Sequence, residues 1–421
     1  MSALRGVFCL LLAAVASAAW AQAEPPLGAE LDALLAYARN KHPALADAQA
    51  QVEAAQQRAA YAGALPDPRL RLEWMDITRG GEHGPNLLPG QVGSLRYSLM
   101  QELPWPGKRA LQRAVATAEA EAVHAQARDV ASGLAAQITD VFAQRFVLAQ
   151  MQQQTRDIQN LLLQLEAAAT ARYGTGLGAQ QDVIRAQLEQ TRARAQLLEL
   201  DGQQRRLDAQ LNALLNRPGD AALEPARALP PLPPEAGWNT AALRERVLRN
   251  NPSLAGNVAQ LRAAQENRDL TRRNRYPDFS LGLTPVQMGD SIREWDLMLE
   301  IAIPLQRGAR RAKEREAEAE LDAARWRQRA SEREVLGELD ARLASLRTAR
   351  ATADLIERDL LPQAELTYQS ALSGYESGQV DFATVLEAQR QIHQARLERA
   401  QRQIEAYSAV SAIERLLGET L

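Results

Sequence analysis

Along most of this chain apolar residues recur at spacings of three and four, and in four short stretches the spacing drops to two. The longer period predicts helices at about 31–64, 108–171, 179–215, 240–273, 309–373 and 382–417. Prolines inside these stretches are confined to Pro43, Pro252 and Pro362. Pro43 and Pro252 follow His42 and Asn251 near a helix start and fit a short break there. Pro362 must kink or interrupt its helix, because its ring removes a donor and meets the carbonyl four residues back. At ~1.5 Å per residue, helix 108–171 would be about 95 Å long if uninterrupted, which exceeds an ordinary globular domain. Where the period falls to two, Leu70, Leu72 and Trp74 alternate with Arg69, Arg71 and Glu73, and Leu95, Tyr97 and Leu99 with Ser94, Arg96 and Ser98. Further on, Phe279, Leu281 and Leu283 alternate with Ser280, Gly282 and Thr284, and Trp295, Leu297, Leu299 and Ile301 with Asp296, Met298 and Glu300. These are two β-hairpins, expected at 68–103 and 278–304. The longer loop, holding Gly80, Gly81, Gly84, Pro85, Pro89 and Gly90, joins the first pair, and Gln287 to Ile292 joins the second more tightly.

The pattern occurs twice. Tyr173-Gly-Thr-Gly-Leu-Gly-Ala-Gln-Gln-Asp-Val-Ile-Arg-Ala-Gln187 returns as Tyr375-Glu-Ser-Gly-Gln-Val-Asp-Phe-Ala-Thr-Val-Leu-Glu-Ala-Gln389, with Tyr, Gly, Val, Ala and Gln in register. His42-Pro-Ala-Leu45 is answered by Asn251-Pro-Ser-Leu254, and Pro66-Asp67 by Pro277-Asp278. A spacing of about 200 residues is a domain duplication, well above solenoid periods. The chain therefore divides into a leader at 1–21, a first repeat at 22–216 with its helical hairpin at 107–216, a proline-rich linker at 217–238, and a second repeat at 239–421 with its helical hairpin at 308–420. Fold class is mainly α with a small β part.

Composition narrows the setting. Arg5, an apolar run from Gly6 to Ala19, and Ala19-Trp20-Ala21 read as a secretory signal. The single cysteine, Cys9, lies inside that run and lacks the context of a lipoprotein cleavage site, so the exported chain is expected to have no thiol for disulfide, metal or nucleophile. No later apolar run reaches the roughly 18 residues of a spanning helix. Lys and Arg (49) and Asp and Glu (52) nearly balance and are interspersed, which gives no nucleic-acid footprint. The strands, by contrast, are of bilayer-spanning length, apolar on one face and polar on the other. Four strands cannot close a barrel around a pore, and open edges are not tolerated in hydrocarbon, so the barrel must be shared between subunits.

Signal, duplication, paired hairpins and the doubled Tyr-x-x-Gly turn together resemble the TolC-like outer membrane factor family over essentially the whole mature chain. Leu65-Pro-Asp-Pro68 and Gln101-Glu-Leu-Pro-Trp-Pro-Gly-Lys-Arg109 are similar to its heavy-metal efflux branch, although members of that branch are often lipoproteins. The resemblance implies a homotrimer in the outer membrane of a Gram-negative cell, with twelve strands in one β-barrel and the helices in a coiled-coil α-barrel across the periplasm. It also implies a periplasmic adaptor and a proton-driven inner-membrane transporter as partners, no cofactor, and a passive duct in place of an enzyme.

The repeated turns are then the periplasmic tip. By the family's pattern, Asp182 and Arg185 in the first copy and Thr384 and Glu387 in the second are gate candidates, against solvated helix-surface charge as the alternative. Threefold symmetry would make Glu387 a ring of carboxylates that attracts cations and strains a closed gate. Tyr173, Gly176, Tyr375, Gly378 and Asp381 are assigned to the turns and to adaptor contact. His42, His83, His124 and His393 are scattered without metal-ligand spacing. Strand parity places Met75, Met100, Met298 and, if its strand extends that far, Met288 on the polar face, where thioethers suit Cu(I) or Ag(I) but also serve as adaptable filler. Two other classes compete: a drug-export duct of the same build, and a periplasmic coiled-coil adaptor. An adaptor would surround one helical hairpin with β-rich domains, unlike the duplicated hairpins here. A secreted enzyme lacks any convergent acid, base or metal cluster.

Overall fold

The structure, a computed structural model, describes residues 27–78, 85, 87–88, 92–234 and 239–419. The expected signal at 1–21, with Cys9, and His83 in the first strand loop lie outside the described residues. The first repeat runs α1 (Leu31–Lys41), α2 (Pro43–Tyr61), β1 (Arg69–Met75), β2 (Ser94–Leu103), α3 (Lys108–Gly174) and α4 (Gln180–Leu214). The second runs α5 (Thr240–Asn250), α6 (Pro252–Arg273), β3 (Asp278–Met288), β4 (Ser291–Ala302), α7 (Arg307–Leu355), a π-helical turn (Ile356–Leu360), α8 (Leu361–Glu376) and α9 (Phe382–Leu417). Two of the shorter helices start for a local reason. His42 Nδ1 accepts from Ala44 N–H at 3.2 Å and caps α2, and Asn251 Oδ1 accepts from Leu254 N–H at 2.9 Å and caps α6, with proline at the first helical position of both.

Helix α3 has 67 residues and so spans about 100 Å. Its counterpart in the second repeat is divided at Pro362. The π turn immediately before it widens the helix where the proline ring would meet the carbonyl of Arg358. The matching position of the first repeat is Asn160, and α3 passes through it unbroken. The linker is tied to both repeats in its described part. Buried Arg145 on α3 pairs with Asp208 on α4 at 2.6 Å and donates to the Glu224 carbonyl at 3.3 Å, while Tyr407 Oη donates to the Pro230 carbonyl at 2.7 Å.

Two apolar cores repeat each other: Leu34, Ala38, Ile138, Phe142, Leu211 and Leu215 in the first half, and Leu243, Val247, Leu339, Leu343, Ile413 and Leu417 in the second. A third core at the far end of the long helices is shared, with Ile158, Leu162 and Ala186 packing against Tyr368, Phe382 and Val385. Opposite that end the four strands form one antiparallel sheet in chain order. The two hairpins are joined through β2 and β3, with Leu99 opposite Leu283 and Leu103 opposite Phe279. The second hairpin is longer than the Gln287 to Ile292 loop expected from the alternation. Pairing continues to Met288 and Ser291, leaving Gly289-Asp290 as the turn, with Gly289 at φ +64°. Among the described residues no helix is long and apolar enough to cross a membrane.

Candidate functional site: a sheet turned inside out and a closed helical tip

On the two inner strands exposure is largely the reverse of a soluble protein's, Leu95 apart, while β1 and β4 are open on nearly all positions of both faces. On the apolar parity Leu70, Leu72, Leu99, Leu281, Leu283, Leu299 and Ile301 are exposed, as are Trp295 at 64% and Leu297 at 79%. On the polar parity Ser98 and Thr284 keep only 7% and 6% of their surface, and their hydroxyls are hydrogen-bonded at 2.8 Å. A sheet that shelters polar groups and presents leucine outward suits a surrounding medium of hydrocarbon.

At the edge where strands give way to helices, Trp105 stacks on Tyr276 (5.0 Å between centroids) and on Phe279 (5.7 Å), the place where aromatic belts occur. Beneath them lies a buried charge. Lys108 Nζ donates to both Asp278 carboxylate oxygens at 2.9 Å and to the Tyr276 carbonyl at 3.0 Å, while Asp278 Oδ1 also accepts from Trp105 N–H at 2.7 Å. The first residue of α3 is thereby fastened to the first residue of β3, joining the repeats at the membrane edge.

Both turns at the far end are Schellman closures with the same bonds. Leu177 N–H donates to the Arg172 carbonyl at 2.9 Å and Gly176 N–H to Tyr173 at 3.0 Å. In the second copy Gln379 N–H donates to Gly374 at 2.7 Å and Gly378 N–H to Tyr375 at 3.1 Å. Gly176 and Gly378 both stand at φ +75°, a conformation that side-chain-bearing residues adopt at a cost.

The copies differ around this shared backbone. Tyr173 is 48% exposed, whereas Tyr375 is 6% exposed and packs on Phe382 at 5.3 Å. Arg172 lies over the Tyr375 ring at 4.7 Å and donates to the carbonyls of Tyr375 at 3.0 Å and Glu376 at 3.4 Å, so one repeat clasps the turn of the other. Burial pushes the Tyr375 hydroxyl above its ordinary pKa, the negative charge of Asp182 pushes it the same way, and Arg172 opposes both. Asp381 caps α9, accepting from the Thr384 hydroxyl at 2.6 Å and backbone N–H at 3.0 Å. These two bonds hold its carboxyl below the usual range, with a smaller contribution from Arg185. The structure thus brings Asp182 and Arg185 of the first copy toward Tyr375 and Asp381 of the second. Glu387 is exposed and paired with Arg390 one turn along α9 at 3.0 Å, so it is not a bare carboxylate in this chain.

Arg172 and Lys108 were not singled out from sequence. Arg172 stands against Gly374 in the second copy, one of many mismatches in the repeat, so nothing in the sequence marked it out. Lys108 and Asp278 lie in different repeats, and nothing local announces their pairing. All four methionines lie on the polar parity: Met75 opposite Ser94, Met288 opposite Ser291, and Met100 and Met298 on either side of Gly282. Among the described residues no group of three histidines or carboxylates is placed to hold a metal ion.

An outward apolar sheet at one end of a helical stalk whose longest helix is about 100 Å, with reversing turns at the other end, is the build of an outer-membrane channel with a periplasmic stalk. The chain belongs to the outer membrane efflux protein family, whose sequence model matches residues 34–217 and 243–419, one match in each repeat. It is 23% identical over 389 residues to the cobalt-zinc-cadmium resistance protein CzcC of Cupriavidus metallidurans, covering 92% of this chain and 90% of that protein. Its fold is also that of two solved channel-family structures. The outer membrane protein VceC of Vibrio cholerae has a TM-score of 0.79 at 18% identity, covering 93% and 96% of the two chains. CusC has a TM-score of 0.79 at 18% identity, covering 92% of each. The protein is therefore an outer-membrane efflux channel protein with its helical part in the periplasm, of a family of channels and not of enzymes.

Proposed function

We propose that the chain is the exit duct of a tripartite efflux pump, passively conducting metal cations that an inner-membrane transporter, proton-driven, drives into it through a periplasmic adaptor. The observation that carries the duct is the inside-out sheet. Among the described residues its edges β1 and β4 are unpaired, and hydrocarbon does not tolerate open edges, so several copies share one barrel; the family resemblance implies three copies and twelve strands. The name of CzcC, a cobalt-zinc-cadmium resistance protein, supports metal as cargo. The tip is the gate, with Arg172 and Tyr375 as its clasp and Asp182, Arg185, Thr384 and Glu387 around it. The exposed segments 174–178 and 376–381 are the surface offered to the adaptor.

The test is growth of a deletion strain, with and without plasmid rescue, on Cu, Ag, Zn, Co, Ni and Cd salts and on dyes, detergents and antibiotics. Rescued sensitivity confined to metals is the expected result. Sensitivity to lipophilic compounds alone would transfer the duct to drug export, and no sensitivity to either would remove the efflux reading.

A further inference from the structure

Gly282 sits in the interior of β3, where glycine weakens a strand and contributes no packing of its own. Its φ lies outside the left-handed region, so the backbone does not require it. The side chains on either side explain it better. A Cβ at this position would stand 3.3 Å from Met100 Cγ, 3.3 Å from Met298 Cε and 3.5 Å from Met298 Cβ. Met100 on β2 and Met298 on β4 are both register partners of Gly282 and share its inward, polar face. Their Cα atoms belong to strands about 9.6 Å apart, two strand spacings. The missing side chain opens the slot over which the two thioether chains converge.

The surroundings favour a cation. On the same parity Met298 is flanked along β4 by Asp296 and Glu300, and Met100 along β2 by Glu102 and Ser98. Two basic residues of β1 share this face, Arg69 opposite Met100 and Arg71 opposite Ser98, against the three carboxylates of Glu102, Asp296 and Glu300. Met298 is partly exposed, so an ion moving along the inward face can reach it. Met75 and Met288 share that face near the outer ends of the strands, but neither is paired with a glycine.

We propose that Met100 and Met298, converging over Gly282, form a low-coordinate binding site for a soft monovalent cation, Cu(I) or Ag(I), on the inner wall of the barrel. Thioether sulfur is a soft, neutral donor that selects such ions over Mg²⁺ or Ca²⁺. Two thioethers hold an ion loosely enough to release it, as a conduction pathway requires. The site deepens the metal-cargo reading and rests on it for its biological use, but the binding itself can be measured without it.

The experiment is equilibrium dialysis of silver nitrate against the full-length protein purified in detergent, in chloride-free buffer. Methionine to leucine conserves volume, so Met100→Leu/Met298→Leu is expected to keep the fold, checked by far-UV circular dichroism and by the SDS-resistant oligomer. Expected are one silver ion per chain in the parent protein, its loss in Met100→Leu/Met298→Leu, and its retention in Met75→Leu/Met288→Leu. Gly282→Ala is expected to weaken binding by filling the slot. Silver X-ray absorption should show sulfur neighbours only when Met100 and Met298 are present, a signature that mere packing would not produce. Silver bound equally by Met100→Leu/Met298→Leu overturns the site. Absence of silver from the parent protein, alongside rescued metal tolerance in cells, overturns the site and leaves the duct standing.

Discussion

Removing Asp278 should damage this protein more than removing Lys108, although the two form one ion pair. Lys108 is buried and its ammonium has three acceptors: two oxygens of Asp278 and the carbonyl of Tyr276. Asp278→Ala leaves that ammonium with one acceptor and strips the partner from Trp105 N–H. Stranding a buried charge costs about 3–5 kcal/mol, and the orphaned N–H belongs to the same loss, so about 4 kcal/mol is expected. Lys108→Met keeps the length of the stem and leaves Asp278 accepting from Trp105, with part of its carboxylate in reach of water. That loss should be about 1–2 kcal/mol. Lys108→Met/Asp278→Ala leaves no buried charge and should be more stable than Asp278→Ala alone. Urea unfolding in detergent micelles, followed by far-UV circular dichroism, reads the three variants on one scale. Equal losses in the two single variants, or a double variant no better than Asp278→Ala, would refute the reasoning that a stranded ammonium is what costs.

The clasp at the tip makes its own forecast: Arg172→Gln should free the Tyr375 and Glu376 carbonyls, a loss of roughly 1–2 kcal/mol, and raise conductance in planar bilayers. Unchanged conductance would take Arg172 out of the gate. Because Arg390 pairs with Glu387, Arg390→Ala should increase block by divalent cations as the carboxylate is uncovered, and Glu387→Ala should not. An identical pair of traces would leave both as surface charge. Gly176→Ala and Gly378→Ala should each cost about 1 kcal/mol from backbone strain alone, since nothing lies within 4 Å of either added Cβ, and thermal unfolding should show the two losses alike. His393 bonds Gln196 through Nε2 at 3.0 Å while its Nδ1 is buried without a partner among the described residues, and burial first and Arg396 second hold its pKa below the ordinary 6.5. The unfolded chain then takes up this proton first, so stability is full above about pH 6.5 and falls as pH drops through the folded value. In His393→Gln the thermal midpoint should fall less between pH 7 and pH 5, and an unchanged slope would count against it.

What the sequence determined by itself was everything set within a few residues. Pro43 and Pro252 open helices because proline suits a first turn, and Pro362 follows a π turn in one because it stands where the helix is already formed. The two turns close identically because Gly176 and Gly378 each supply the one positive φ that a Schellman turn needs. Alternation in the strands told polar face from apolar face, since successive side chains point opposite ways. Tertiary structure alone decided which distant residues meet. The joining of the hairpins through β2 and β3, the Lys108 and Asp278 pair, the clasp of Arg172 on Tyr375 and the two methionines over Gly282 all cross from one repeat to the other. A repeat read along the chain shows that two halves are alike. It does not show in what register they pack, because register is set by the sum of many weak contacts between segments that are far apart in sequence. Arg172 against Gly374 and Pro362 against Asn160 are two of the differences through which that packing sets the halves apart.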